Sequence, residues 1–222
     1  MKIFRIPVKL GTLIGGLSVL ILGGVMLITP AAFSQWQSTT DFDNLPSLPR
    51  RPVEFYREKI IMNIDNDYLE VTGIYYFRNN IGKAKNFPLV YPFPIDECHN
   101  PPDSISIKFD KGDGEIPVDF RMHPKGTHCS CVLPMKKGDG NIMTVFYRQL
   151  LNEKQARYIL TTTAKWGKPF DFAEYEIAIP EDFDDVFINY PFTLEEKEEA
   201  IELFKMSGED FMPDKDIIVK WK

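Results

Sequence analysis

Cysteine and histidine are scarce in this chain, three of each among 222 residues, and basic side chains number 26 against 32 acidic ones. All of the first 34 residues' charge is positive, from Lys2, Arg5 and Lys9, so the rest carries 23 basic and 32 acidic groups, a net charge of −9. A field of that sign repels phosphate backbones, and nucleic acid is excluded as a partner. Long apolar runs are also missing, with one exception near the N-terminus, which excludes a chain that crosses a membrane many times. No GxSxG elbow, phosphate loop, GxGxxG turn, HExxH pair or EF-hand loop occurs, so nothing in the spacing positions a catalytic nucleophile or a resident cofactor. The expectation is a protein that is not an enzyme.

The exception runs from Leu10 to Phe33 without an ionisable group, behind the basic segment MKIFRIPVK. That pattern is an export signal or a membrane anchor. Ala32 and Ser34 offer small residues for a cut ahead of Gln35, while the length of the run suits an uncut span. In both cases the basic end stays cytoplasmic and the remainder faces outward, periplasmic or extracellular. Residues 1–34 are therefore expected to be signal or anchor, residues 35–52 a proline-marked linker, and residues 53–222 the folded domain.

Within that domain, apolar residues alternate with polar ones over short stretches, as half-buried antiparallel strands require. Leu69, Val71, Gly73, Tyr75 and Phe77 form one such stretch, with a bulge expected at Gly73. Ile105, Ile107 and Phe109 form another, followed by Ile116, Val118 and Phe120, then Tyr175, Ile177 and Ile179, and last Ile217, Val219 and Trp221. Turns are expected at Asp65-Asn66-Asp67, at residues 111–114, at Pro124-Lys125-Gly126 and at Gly138-Asp139-Gly140. The fold class that follows is all-β, an antiparallel β-sandwich. One amphipathic helix is predicted from Thr193, where a Thr-x-x-Glu capping box precedes Leu194, Ile201, Leu203 and Phe204, to Ser207-Gly208.

Every cysteine and histidine lies between positions 98 and 131: Cys98, His99, His123, His128, Cys129 and Cys131. Thiolate and imidazole at this density can hold zinc or copper. On a strand, Cys129 and Cys131 share a face and His128 takes the other, so His99 or His123 would complete such a site. A disulfide from Cys98 to Cys129 or Cys131, or three plain thiols, are the competing readings. Residues 158–169 read as a strand running into a Trp-Gly-x-Pro turn, where Trp166 is either a stacking platform for a ligand or an aromatic plug. The run Glu181-Asp182-Phe183-Asp184-Asp185 is read as a solvated loop, with calcium as the other possibility.

The stretches Tyr75-Tyr76-Phe77-Arg78-Asn79, Tyr91-Pro92-Phe93-Pro94-Ile95-Asp96, Tyr158 to Pro169 and Phe211 to Asp216 are similar to those of exported or membrane-tethered prokaryotic proteins without assigned activity. The first two also resemble, more faintly, the β-sandwich VIT domain. The resemblance implies a fold and an extracytoplasmic setting and carries over no active site. Taken together, these readings predict an exported binding or structural module of the cell envelope with an envelope partner. The alternative is an envelope metal-binding or thiol redox module built on the cysteine and histidine cluster.

Overall fold

The computed structural model describes residues 52–198 and 200–222. The expected leader, and the linker up to residue 51, lie outside them. Among the described residues no helix is long and apolar enough to cross a membrane. They are all-β and largely antiparallel, with no α-helix and a single 3-10 segment, Thr161–Trp166.

The largest sheet has eight strands in the order β12-β13-β10-β1-β2-β8-β4-β5. These are β1 (Val53–Ile64), β2 (Tyr68–Asn79), β4 (Ser104–Asp110), β5 (Glu115–Pro117), β8 (Gly138–Leu150), β10 (Phe170–Pro180), β12 (Thr193–Glu198) and β13 (Ile201–Phe211). A three-stranded sheet joins β3 (Lys85–Pro92), β7 (His128–Met135) and β6 (Phe120–Met122), in that order. Another joins β11 (Phe187–Ile188), β14 (Ile217–Lys220) and β9 (Gln155–Tyr158). Both small sheets reach the same face of the large one, since the Tyr75 hydroxyl on β2 bonds to Tyr91 on β3 and to Tyr158 on β9. One continuous core results. All pairings are antiparallel except that of β1 with β10.

Period-two alternation accounts for the large sheet. Leu69, Val71, Tyr75 and Phe77 on β2, Met143, Val145 and Tyr147 on β8, and Tyr175, Ile177 and Ile179 on β10 are buried on the core face. Ion pairs cross the other face, Arg57 to Glu174 and Lys59 to Glu176, both at 2.7 Å. The alternation changes phase once in β1: Val53 and Phe55 point inward, and so do Glu58, Ile60, Met62 and Ile64. A bulge between Phe55 and Arg57 makes the switch.

Several expectations are corrected. Residues 193–208 form the β12–β13 hairpin, not a helix, and Ala200 turns the chain with φ of 66°. The capping-box residues lose to an edge that needs a partner: β10 would otherwise leave its backbone groups open, and β13 covers them with Ile177 opposite Phe204 and Tyr175 opposite Met206. Gly73 is not a bulge, for β2 keeps register with both neighbours there. It is glycine because the Tyr75 phenol folds back over it, and a Cβ would overlap that ring. The strand through Tyr158 ends at that residue, and Thr161 to Thr163 lie in the 3-10 segment. Ile116 and Phe120 are exposed at 43% and 36%, because β5 and β6 are short edge strands. Gly138 and Gly140 open β8 rather than forming the turn, which lies at residues 136–137.

Candidate functional site

Among the described residues, strands β3 and β9 each pair on one side only, and these two sheet edges meet above β2. Between them lies a pocket of about 250 Å³. Its walls are aromatic: Phe55, Tyr75, Phe77, Tyr91, Tyr158 and Trp166 all line it. Glu58 lines it as well, although its residue is only 2% exposed.

Glu58 reaches this position through the β1 bulge, which turns it from the solvent face to the core. The Tyr175 hydroxyl donates to its Oε1 at 2.5 Å, its hydrogen-bond partner among the described residues. Burial pushes the Glu58 carboxyl up to about 8, against the lesser, opposite pull of that hydrogen bond, so it is protonated at neutral pH. Its sequence neighbours Arg57 and Lys59 pair with carboxylates on the opposite face and supply no countercharge. Tyr75 ties the roof to the floor, 2.7 Å from the Tyr91 hydroxyl and 2.8 Å from that of Tyr158. Burial pushes all three of these phenols, and that of Tyr175, well up from their ordinary value, and they stay neutral.

The mouth is formed by the 3-10 segment, including Thr162, Lys165 and Trp166. Asp216, just before β14, fixes where that segment starts. Its Oδ1 accepts from the backbone N–H of Leu160 and of Thr161 at 3.0 Å each and from the Thr161 hydroxyl at 2.8 Å. Its Oδ2 accepts from Arg157 at 2.6 Å. Burial raises the Asp216 carboxyl, but the Thr161 N–H and hydroxyl and the Arg157 guanidinium outweigh it, and the net shift is downward. Trp166 packs against Phe55, Phe77 and Phe87, with ring centroids 5.6, 5.9 and 6.1 Å away. It is thus held in an aromatic cluster and also forms part of the pocket wall.

The cysteines and histidines are dispersed by comparison. Cys129 and Cys131 do share the core face of β7, opposite Tyr91 and Leu89 respectively, and both are buried. All three thiols are free. Burial, and next the neighbouring Cys131, push the Cys129 thiol up to about 12, and burial raises Cys131 too. Cys98 is raised by burial and by the carboxylates of Asp96, Glu153 and Glu97. His99 is buried in the loop before β4, with Nδ1 2.6 Å from Asp96 Oδ1, and His123 stacks on His128 at 4.5 Å. Among the described residues no group of three or more histidine, cysteine, aspartate or glutamate side chains is placed to hold a metal ion. The acidic run at residues 181–185 folds around Phe183, which stacks on Trp221 at 4.8 Å, and Asp185 pairs with Lys222.

Sequence reading missed Glu58 and the tyrosines around it. The available signal was the phase change in β1: with Ile60, Met62 and Ile64 inward, period two assigns the next inward place to residue 58. A carboxylate between Arg57 and Lys59 reads as surface charge unless that count is made.

No family model matches the chain, and no curated protein matches it. Among solved structures it is similar to a Legionella pneumophila protein described as nutrient-binding, with 10% identity and a TM-score of 0.51 over 76% of this chain and 66% of that one. It is also similar to an M1 zinc metallopeptidase from Deinococcus radiodurans, with 10% identity and a TM-score of 0.49 over 79% of this chain and 44% of that one. A yeast LTA4 hydrolase follows at 9% identity and a TM-score of 0.43, over 88% of this chain and 33% of that one. The chain thus spans just under two thirds of the first protein's length and under half of the second's, and at 10% identity the first likeness concerns the course of the backbone alone.

Proposed function

We propose that this chain is an extracytoplasmic β-sandwich of the cell envelope, not an enzyme, that binds a ligand in the pocket between β3 and β9. The observation that carries the reading is the pocket itself: apolar aromatic walls, a buried carboxyl at the floor and a mouth held in place by Asp216. Concave, mostly apolar sites with few convergent polar groups are where proteins hold small molecules or a partner's side chain. Its setting outside the cytoplasm rests on the basic residues and uncharged run of positions 1–33.

The alternative, a metal-binding or thiol redox module at residues 98–131, would use thiols whose burial favours the protonated form, which neither binds metal nor attacks disulfides. The pocket is the better supported site.

The mass of the full-gene product recovered from the envelope fraction tests both parts. A denatured mass starting near Gln35, or a full-length mass confined to the membrane fraction, supports export by the two possible routes, and a full-length mass in the cytosol counts against it. A native mass exceeding the denatured one by a small organic molecule supports the pocket reading. An excess equal to one zinc or copper ion favours the alternative.

A further inference from the structure

Among the described residues, Glu58 is a buried acid without a buried base. The Tyr175 hydroxyl on β10 bonds to it, the hydroxyls of Tyr75, Tyr91 and Tyr158 on β2, β3 and β9 lie close enough to interact electrostatically with it, and none of the four carries charge near neutral pH. Lys165 lies at the exposed mouth, and burial and the Tyr175 hydroxyl alone set the protonation of Glu58. Aromatic rings present negative faces, so the walls and the floor agree in sign. A carboxyl at the floor of an aromatic-walled pocket suits one chemical class of guest, a positively charged nitrogen that is itself partly apolar.

We infer that the pocket over Glu58 takes an organic ammonium group, a primary amine or a quaternary head, with the Glu58 carboxylate as its counter-ion and Tyr75, Tyr91, Tyr158 and Trp166 as its cage. This deepens the reading of the pocket as a binding site and rests on it. The volume of about 250 Å³ suits a head group rather than a long chain. The aromatic walls gain cation–π attraction where water is displaced, which a neutral guest of the same shape does not receive. Binding is coupled to ionisation: the cation enters as Glu58 releases its proton to solvent. The tyrosines do not titrate in this range, and a quaternary nitrogen has no proton to lose. The pH dependence therefore belongs to Glu58.

The test is calorimetry on the full chain with choline, tetramethylammonium and the uncharged choline isostere 3,3-dimethylbutan-1-ol, at pH 6, 7 and 8 in buffers of different ionisation enthalpy. With Glu58 at about 8, choline affinity should rise about 50-fold from pH 6 to pH 8. About one proton should be released per choline bound at the lower pH values, and the isostere should bind more weakly with no pH dependence. Glu58→Gln should remove both the choline preference and its pH dependence. Tyr175→Phe keeps the carboxyl but removes its hydrogen bond, so the choline profile should move to higher pH. If the isostere binds as well as choline at every pH, the ammonium inference is overturned while the pocket remains a binding site. If no probe binds the unmodified chain, both readings fall. A choline profile unmoved by Tyr175→Phe also overturns the role given to Glu58.

Discussion

Two residues show how far single positions control this fold. Folded molecules keep the Glu58 proton up to about pH 8, whereas unfolded ones release it near 4.5. The folded state therefore binds more protons between those values, and stability falls as pH rises through them, by about 1.4 kcal/mol per pH unit. Urea titrations at pH 5 and pH 8 should show a loss of about 3 kcal/mol from this group, and Glu58→Gln should abolish it. Gly73 is constrained differently. The Tyr75 ring that covers it is pinned by two hydroxyl bonds and cannot swing aside, so Gly73→Ala should destabilise by about 1–3 kcal/mol, the range for overpacking a filled core. Adding Tyr75→Phe should recover part of that loss, because the ring is then free to shift. Alternation counted back from Ile64 places Glu58 inward, but it says nothing of its partners or of the ring over Gly73. Glycine in mid-strand reads equally as a bulge, and glutamate between two basic residues reads as surface.

At the scale of elements, what was legible is what period two encodes. The runs through Leu69 to Phe77, Ile105 to Phe109 and Tyr175 to Ile179 became β2, β4 and β10, because a face that alternates can be buried in only one way. Residues 193–208 were not legible, since capping signals act locally while the demand of the β10 edge comes from residues some 30 positions earlier. The hairpin has a consequence that a helix would not have: Phe204 and Met206 pack against the core, and Leu203 points away. Chemical denaturation should find Phe204→Ala and Met206→Ala each costing about 1–3 kcal/mol, and Leu203→Ala about 0.5 kcal/mol or less. The 3-10 segment depends on a single carboxylate. Asp216→Ala leaves the buried Leu160 N–H and the Thr161 N–H without acceptors, which should cost about 2–4 kcal/mol and shift Trp166 emission to longer wavelength. The native carboxyl lies below its usual value, so its contribution is complete above about pH 4 and disappears as pH falls through the folded value. Asp216→Asn should remove that acid-limb dependence, read as a flatter stability profile below pH 4.

For the molecule as a whole, the sequence made the all-β class readable and left the way the sheets share one core unreadable, because strand order is set by contacts between distant residues. The clearest case is the parallel register of β1 with β10, which puts Arg57 against Phe172 and Lys59 against Glu174. Non-local pairing of this kind slows folding, and refolding from urea should take milliseconds to seconds in stopped-flow fluorescence; a microsecond phase carrying the full amplitude would contradict it. The same register bears on how the chain is made. During synthesis β1 and β2 emerge early, but one edge of β1 must wait until some 117 further residues have been added before its partner exists. A nascent chain whose central sheet cannot close until β10 appears stays threadable until then. In the export reading, that delay keeps it slack enough to pass through a translocation channel before it becomes too stable to unravel.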